Sequence, residues 1–118
     1  MIGGIRIKRI YPPASKEDGK RILVERLWPR GLKKEKAAID RWLKEVAPST
    51  ELRRWYAHDE AKWPEFQERY RAELARTTQA LDEIRRLAKT GTVTLVYAAQ
   101  DEEHNSAVVL QAVLNKKI

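Results

Sequence analysis

Residues 92–99 read TVTLVYAA, a run in which nearly every residue is β-branched or apolar. A strand with one face in water alternates polar and apolar residues, whereas this run is apolar toward both faces. Such a pattern is typical of a central strand in a parallel sheet that helices cover on each side. The run therefore predicts an α/β fold.

Two further strands are predicted upstream, over residues 4–11 (GIRIKRIY) and 21–27 (RILVERL). The first alternates around three isoleucines, and the second is more continuously apolar. The stretch between them, PPASKEDG, is expected to form a loop because two prolines and a glycine do not fit inside a regular element. Helices with apolar residues at helical spacing are predicted over residues 49–58, 63–75, 78–91 and 101–117.

Each predicted helix begins at a residue that favours a helix start. Ser49 or Thr50 is expected to cap the first helix, and Pro64 to lie at the start of the second. Thr78 is expected to cap the third helix and Asp101 the last. The last helix would then have acidic residues in its first turn and lysines at its end, which suits the helix dipole.

Residues 37–46 fit two structures. Their apolar residues recur at helical spacing, but the segment is short and ends in Ala-Pro-Ser, so a strand leading into the next helix is the alternative.

The order of the other elements predicts one α/β domain over residues 1–118, with a small, largely parallel sheet flanked by helices in a Rossmann-like layering. A chain of 118 residues suits one compact domain.

The composition excludes several classes of protein. The chain has no cysteine, which rules out disulfides, thiolate nucleophiles and zinc held by cysteine. No stretch approaches the roughly 18 consecutive apolar residues that a membrane-spanning helix needs. The first residues alternate like a strand and lack the apolar centre of a secretory signal. We therefore expect a cytoplasmic protein without membrane contact.

Positive charge is concentrated in one segment. The chain has a net charge of +7, and residues 20–36 carry seven basic and only two acidic residues. A focus of this kind attracts anions, either small metabolites or nucleic acid. For the lysines alone, a solvated surface loop is an equally good interpretation.

The segment LWPRG follows the second predicted strand and suggests an anion site. Ligands of open α/β sheets bind beyond the carboxyl ends of the strands. Arg26 and Arg30 would hold a phosphate or carboxylate through their planar guanidinium groups. Gly31 would let the backbone approach the ligand, and Trp28 would either stack on it or cover the core.

The residues after the strand at 92–99 supply the candidates for catalysis. His104 is expected in the first turn of the last helix, where the dipole favours a neutral imidazole that can act as a base. Asp101 or Tyr97 would assist it in proton transfer. Asp101 and His104 alone make a poor metal site, so no metal is predicted, and no cofactor is indicated.

Four stretches together resemble a known family. They are RILVERLWPRGLKKEK, DRWLKEVAPSTELRRWYAHD, WPEFQERYRAEL and TLVYAAQDEEHNSAVVL. Nearly the whole chain is similar to the YeaO-like branch of the domain-of-unknown-function 488 family. The resemblance implies a small cytoplasmic α/β protein with no established activity. Its motif positions add Lys34, Ser49, His58 and Asn105 to the candidate ligand-binding residues.

The chain departs from the family pattern at two places. The family typically has Val-Asp-Arg where this chain has Val-Glu-Arg, with Glu25 in place of the aspartate, and the change weakens a catalytic role for that carboxylate. The wider family often has Cys-His-Arg where this chain has His104-Asn105-Ser106. Thiol or thiolate–metal chemistry therefore does not transfer to this chain.

Three functions stay open at this point. The first is a cleft for a small anionic ligand, with or without catalysis. The second is a nucleic-acid-binding module that binds weakly through Lys33, Lys34 and Lys36, with Trp28 stacking on a base. The third is a protein-interaction domain without a ligand. Acidic residues at 101–103 would repel a polyanion, which favours the first function.

Overall fold

The computed structural model describes residues 4–116, which form one α/β domain with a four-stranded sheet. The strands and α-helices in chain order are β1 (Ile5–Arg9), β2 (Lys20–Leu23), α1 (Lys34–Ala37), β3 (Arg41–Trp42), α2 (Thr50–Tyr56), α3 (Trp63–Leu74), α4 (Thr78–Thr90), β4 (Val93–Tyr97) and α5 (Ser106–Asn115). Residues 1–3 and 117–118 of the predicted domain lie outside the described residues.

The four strands are all parallel, and their order in the sheet is β1-β4-β2-β3. All five residues of β4 are buried, and Val93 pairs with Ile5 on one side and Lys20 on the other. The prediction that residues 92–99 contain a central parallel strand is confirmed. The fold class predicted from that run is also confirmed.

The two faces of the sheet are covered differently. Ile22 and Leu95 face the large core, to which α2, α3, α4 and α5 all contribute. Leu23 and Val96 face a smaller cluster, which residues 28–42 cover with Trp28, Trp42 and the four-residue α1. On this second face, the sheet is covered by loop segments and one short helix. The prediction of helices on both faces therefore holds fully for the first face, while the second face has only α1.

The ambiguous segment 37–46 contains a strand as well as helical turns. Its first residue ends α1, Arg41 and Trp42 form β3 beside β2, and Lys44–Val46 form a turn of 3-10 helix. Strand β2 itself ends at Leu23, four residues earlier than predicted. The indole Nε1 of Trp42 donates a hydrogen bond to the Glu25 carbonyl at 2.6 Å, in the stretch where the chain leaves the sheet.

The capping predictions were right for two of the helices. Ser49 caps α2 by accepting a hydrogen bond from the amide of Leu52, and Pro64 lies in the first turn of α3. The cap position of α4 is Thr77 rather than Thr78, and it makes no side-chain capping bond because its hydroxyl donates to the Leu74 carbonyl.

The prediction for the last helix was wrong at its start. Helix α5 begins at Ser106, and Asn105 caps it by accepting from the amide of Val108 at 3.0 Å. Asp101 instead closes a turn ahead of the helix, because its Oδ1 accepts from the amides of Glu103 and His104. The acidic residues therefore precede the helix and do not lie in its first turn.

A membrane-crossing helix does not occur within residues 4–116, where no helix reaches the length and apolar character that a bilayer span requires.

Candidate functional site

A cavity of about 560 Å³ lies at the carboxyl ends of β2 and β4. The rule that ligands bind beyond the strand ends predicts a cleft in this place. Its volume falls in the range of small-molecule sites. The residues that line it are Glu25, Arg26, Leu27, Pro48, Thr50, Arg53, Arg54, Tyr56, His58, Phe66, Ala98, Ala99, His104, Asn105 and Ser106.

Basic side chains dominate the polar part of this cavity. Arg26 lines it from the end of β2, while Arg53 and Arg54 line it from α2. His58 and His104 add two imidazoles, and Glu25 is the one carboxylate among the lining residues. Arg53 and Arg54 are exposed, and neither forms an ion pair within residues 4–116.

Arg26 is the predicted anion ligand that does line the cavity, but part of its guanidinium is already in use. Its Nε donates to the Pro48 carbonyl and its Nη2 to the Ala47 carbonyl, each at 3.1 Å. These bonds hold the segment that leads into α2. Arg26 therefore positions the wall of the cavity, and its Nη1 is left without a hydrogen bond from the described residues.

Glu25 lines the cavity but was not predicted as a site residue, because the departure from the family pattern weakened a catalytic role for its carboxylate. Its Oε2 accepts a hydrogen bond from the amide of Ala98 at 2.9 Å, which joins the end of β2 to the end of β4. Burial raises the pKa of Glu25. The Ala98 amide and the Arg53 charge both lower this pKa, but their effects are smaller than the effect of burial. The side chain is half-buried beside the arginines.

His104 lies in the cavity wall, and Asp101 orients it. Its Nδ1 is 3.0 Å from Asp101 Oδ2, and its ring meets the edge of Trp63 with centroids 5.3 Å apart. The amides of His104 and Glu103 lower the pKa of Asp101 by hydrogen bonding to its carboxylate. His104 precedes α5 and does not lie in the first turn of that helix, where it was predicted.

Glu60 also approaches this pair and completes a group that could hold a metal ion. Its Oε1 is 3.7 Å from His104 Nδ1, and one ligand atom each from Glu60, Asp101 and His104 lie within 4.8 Å of one another. Glu60 is about 40 residues away from Asp101 and His104 in the sequence, so its proximity to them was not predictable from their spacing. The turn at Asp101 and its bond to the imidazole explain the arrangement without a metal.

Three of the predicted site residues are buried or hydrogen-bonded within the fold: Tyr97, Asn105 and Ser49. Tyr97 is 2% exposed and is not among the cavity-lining residues, and burial raises the pKa of its hydroxyl. Asn105 lines the cavity, but its amide group caps α5 and donates to the Asp101 carbonyl. The Ser49 hydroxyl donates to Glu73 at 2.6 Å while it caps α2.

Four other predicted ligand-binding residues are not among those that line the cavity: Trp28, Arg30, Gly31 and Lys34. Trp28 donates to the Leu32 carbonyl at 2.7 Å and packs edge-on against Trp42, on the opposite face of the sheet. Arg30, Gly31 and Lys34 are exposed, and none of them lines the cavity. Arg30 was predicted to hold the anion together with Arg26, but it does not line this cavity, because the chain turns to the other face of the sheet at Trp28.

His58 is held in the cavity wall by an unusual backbone. Both Ala57 and His58 have left-handed backbone angles, with φ of 46° and 58°. Each such residue that is not glycine costs on the order of 1 kcal/mol or more. The His58 ring lies 6.2 Å from the Tyr56 ring, at the end of α2. Its position is therefore set by the turn as well as by side-chain contacts.

A comparison with protein families decides the relationship that the sequence motifs suggested. The model described as "Inactive DUF488-N3 subclade" matches residues 4–118. The chain belongs to the inactive DUF488-N3 subclade. The predicted resemblance to the YeaO-like branch of the domain-of-unknown-function 488 family is thereby confirmed.

Several uncharacterised bacterial proteins are similar to this DUF488-N3 chain along most of their length. "Uncharacterized protein YeaO" of Escherichia coli (strain K12) is 46% identical over 106 residues, which cover 90% of this chain and 92% of that protein. "Uncharacterized protein Mb3100c" of Mycobacterium bovis and "Uncharacterized protein Rv3073c" of Mycobacterium tuberculosis are each 40% identical over 111 residues, covering 94% of this chain and 93% of each protein. No solved structure gives a significant match.

Proposed function

We propose that this DUF488-N3 protein binds a small anionic ligand, carrying a phosphate or a carboxylate, in the cavity at the ends of β2 and β4. The observation that carries the proposal is the presence of Arg53 and Arg54 in the cavity wall, without ion-pair partners in residues 4–116. A guanidinium group donates paired hydrogen bonds to a phosphate or carboxylate. Arg26 adds a third positive charge nearby.

Binding accounts for this cavity better than catalysis does. Covalent catalysis by a hydroxyl group needs a base within hydrogen-bonding distance of the nucleophile. Within the part of the chain that the structure describes, His104 forms no hydrogen bond with a serine, threonine or tyrosine hydroxyl. The description of the subclade as inactive agrees with a role in binding.

The proposal includes a cytoplasmic location for the protein. A chain without cysteine is compatible with the reducing conditions of the cytoplasm.

Nucleic-acid binding through the basic segment is less well supported. Arg21 is 3% exposed and pairs with Asp18, and Arg26 donates to backbone carbonyls. Two of the seven basic residues of the segment are therefore bound within the fold. Lys33, Lys34 and Lys36 are exposed on a different side from the cavity and would attract a polyanion only weakly.

Arginine variants of equal charge test the proposal. Binding of inorganic phosphate and of citrate would be measured by calorimetry and thermal shift for wild type, Arg54→Ala and Arg30→Ala. Each variant loses one positive charge, but only Arg54 lines the cavity. Losing one charge-assisted hydrogen bond should weaken binding by about 10- to 100-fold in Arg54→Ala. Arg30→Ala should bind nearly as tightly as wild type.

Two outcomes would contradict anion binding in the cavity. The first is an equal loss in both variants, which would mean that net charge rather than contact controls binding. The second is no binding of either anion, together with duplex DNA binding that weakens with salt at a slope of about −0.9 per phosphate contact. That second result would support the nucleic-acid alternative.

A further inference from the structure

We infer that the ligand is an organic anion with hydroxyl groups, of the chemical class of a sugar phosphate, and that Glu25 binds those hydroxyl groups. The inference rests on the anion binding proposed above and adds a second recognition element to it. It comes from the position of one carboxylate in a cavity whose other charged lining residues are arginines.

Glu25 has acceptor capacity that the fold does not use. Its Oε2 accepts the Ala98 amide at 2.9 Å, and among the described residues Oε1 has no hydrogen-bond partner. A carboxylate offers about four lone-pair sites, and Glu25 is one of the residues that line the cavity, so unused acceptor sites are available to a ligand there. A group that binds there has to donate a hydrogen bond.

The surrounding charges decide what kind of donor fits. A phosphate placed against Glu25 would be repelled, so the anionic part of the ligand belongs toward Arg53 and Arg54 on α2. An ammonium group beside Glu25 would meet the repulsion of these two arginines and of Arg26. A neutral hydroxyl group donates to the carboxylate without either penalty, and sugars carry several.

The size and the apolar lining of the cavity agree with a ligand larger than inorganic phosphate. Its volume of about 560 Å³ leaves room for a sugar ring beyond the anionic group. Tyr56 and Phe66 line the same space, with their rings 4.6 Å apart. Both residues belong to the core and give the cavity an apolar side, as is usual for small-molecule pockets in which a few polar groups fix the orientation of the ligand.

The test compares three phosphates that differ in their hydroxyl groups. Calorimetry at constant pH would measure inorganic phosphate, methyl phosphate and ribose 5-phosphate on wild type and Glu25→Gln. Gln is similar in shape and its amide oxygen can still accept the Ala98 amide. In wild type, ribose 5-phosphate should bind about tenfold or more tightly than methyl phosphate. In Glu25→Gln that preference should shrink, while inorganic phosphate binds equally well or better because a repulsive charge is gone.

Failure of this inference can be told apart from failure of the proposed function. If methyl phosphate binds wild type as tightly as ribose 5-phosphate, and Arg54→Ala weakens both, the anion site exists and the role of Glu25 is refuted. An equal loss for all three ligands in Glu25→Gln would make Glu25 a structural residue and also refute it. If no phosphate binds wild type, both proposals fall. Should Glu25→Gln not fold, the comparison of ligands on wild type still decides whether the site prefers a ligand with hydroxyl groups, and Glu25→Asp, which shortens the side chain by one methylene, then tests the role of the carboxylate.

Discussion

Asp18 and Arg21 form a buried ion pair, with Asp18 Oδ2 lying 2.6 Å from Arg21 Nη1 and both side chains 3% exposed. Lys8 contributes a second ion pair to the same carboxylate at 3.0 Å, and Arg21 also donates through Nε and Nη2 to the Ala37 carbonyl. The cluster ties β1, β2 and α1 together on the second face of the sheet. Its charges serve the fold, since Asp18 and Arg21 are closed off from solvent.

Removing the carboxylate from this cluster should cost much of the stability of the domain. Asp18→Asn leaves the Arg21 guanidinium buried without an opposite charge, and breaking a buried pair in this way typically costs about 3–5 kcal/mol. Urea unfolding at neutral pH measures the loss. We expect a lower transition midpoint and an unchanged slope.

Asp82→Asn is the matched control for this prediction. Asp82 pairs with Arg85 at 3.5 Å on α4, and its side chain is 65% exposed. Exposed pairs contribute less than about 1 kcal/mol, so the midpoint should hardly move. Similar losses in the two variants would show that burial of the Asp18 pair is not what stabilises the domain.

The central strand and the place of the cavity were predictable from local pattern. A short run that is apolar on both faces is typical of a strand that is covered on both sides. Residues 92–99 were therefore predicted at the centre of the sheet. The strand-end rule then indicated where a cleft would lie, and it selected Arg26 and His104 among its lining residues. These inferences needed no knowledge of long-range contacts.

The remaining cavity residues depend on contacts that no local pattern shows. Arg53 and Arg54 look like the solvated face of an amphipathic helix until α2 is placed over the strand ends. Arg30 looked like a ligand because it follows a strand, but packing of Trp28 against Trp42 carries that stretch to the other face. The pairing of β3 with β2 places Trp42 beside Leu23, and this long-range contact is not visible in the local sequence.

Two glycines with similar positive φ angles should respond differently to substitution. Gly19 and Gly31 have φ of 62° and 74°. A Cβ at Gly19 would lie 2.1 Å from the carbonyl oxygen of Thr92, whereas one at Gly31 would have no atom within 4 Å. Gly19→Ala should therefore cost about 4 kcal/mol or more, because the clash adds to the backbone strain.

Gly31→Ala isolates the backbone strain alone and should cost about 1–2 kcal/mol. Urea unfolding of the two variants gives the comparison directly. A loss in Gly19→Ala no larger than that in Gly31→Ala would mean that the contact with Thr92 relaxes easily. Anion binding should survive in Gly31→Ala, since Gly31 does not line the cavity.

The pH dependence of stability should reveal the cost of holding Glu25 in the cavity. Burial raises its pKa above the ordinary value of 4.5, so the folded protein holds the proton more tightly than the unfolded chain. The stability contributed by the protonated form is present below the unfolded pKa and is lost as pH rises through the folded pKa. At pH 7, Glu25→Gln should therefore unfold at a higher urea concentration than wild type.

This gain should shrink as the pH is lowered toward 4, because Glu25 itself becomes protonated there. Glu68→Gln, on an exposed part of α3, removes the same charge and controls for net charge. If Glu25→Gln is instead less stable than wild type at pH 7, the attraction of Arg53 outweighs burial, and the carboxylate stabilises the fold. If it is more stable but loses the preference for ribose 5-phosphate, Glu25 is retained at the expense of stability, as is common for residues that bind a ligand.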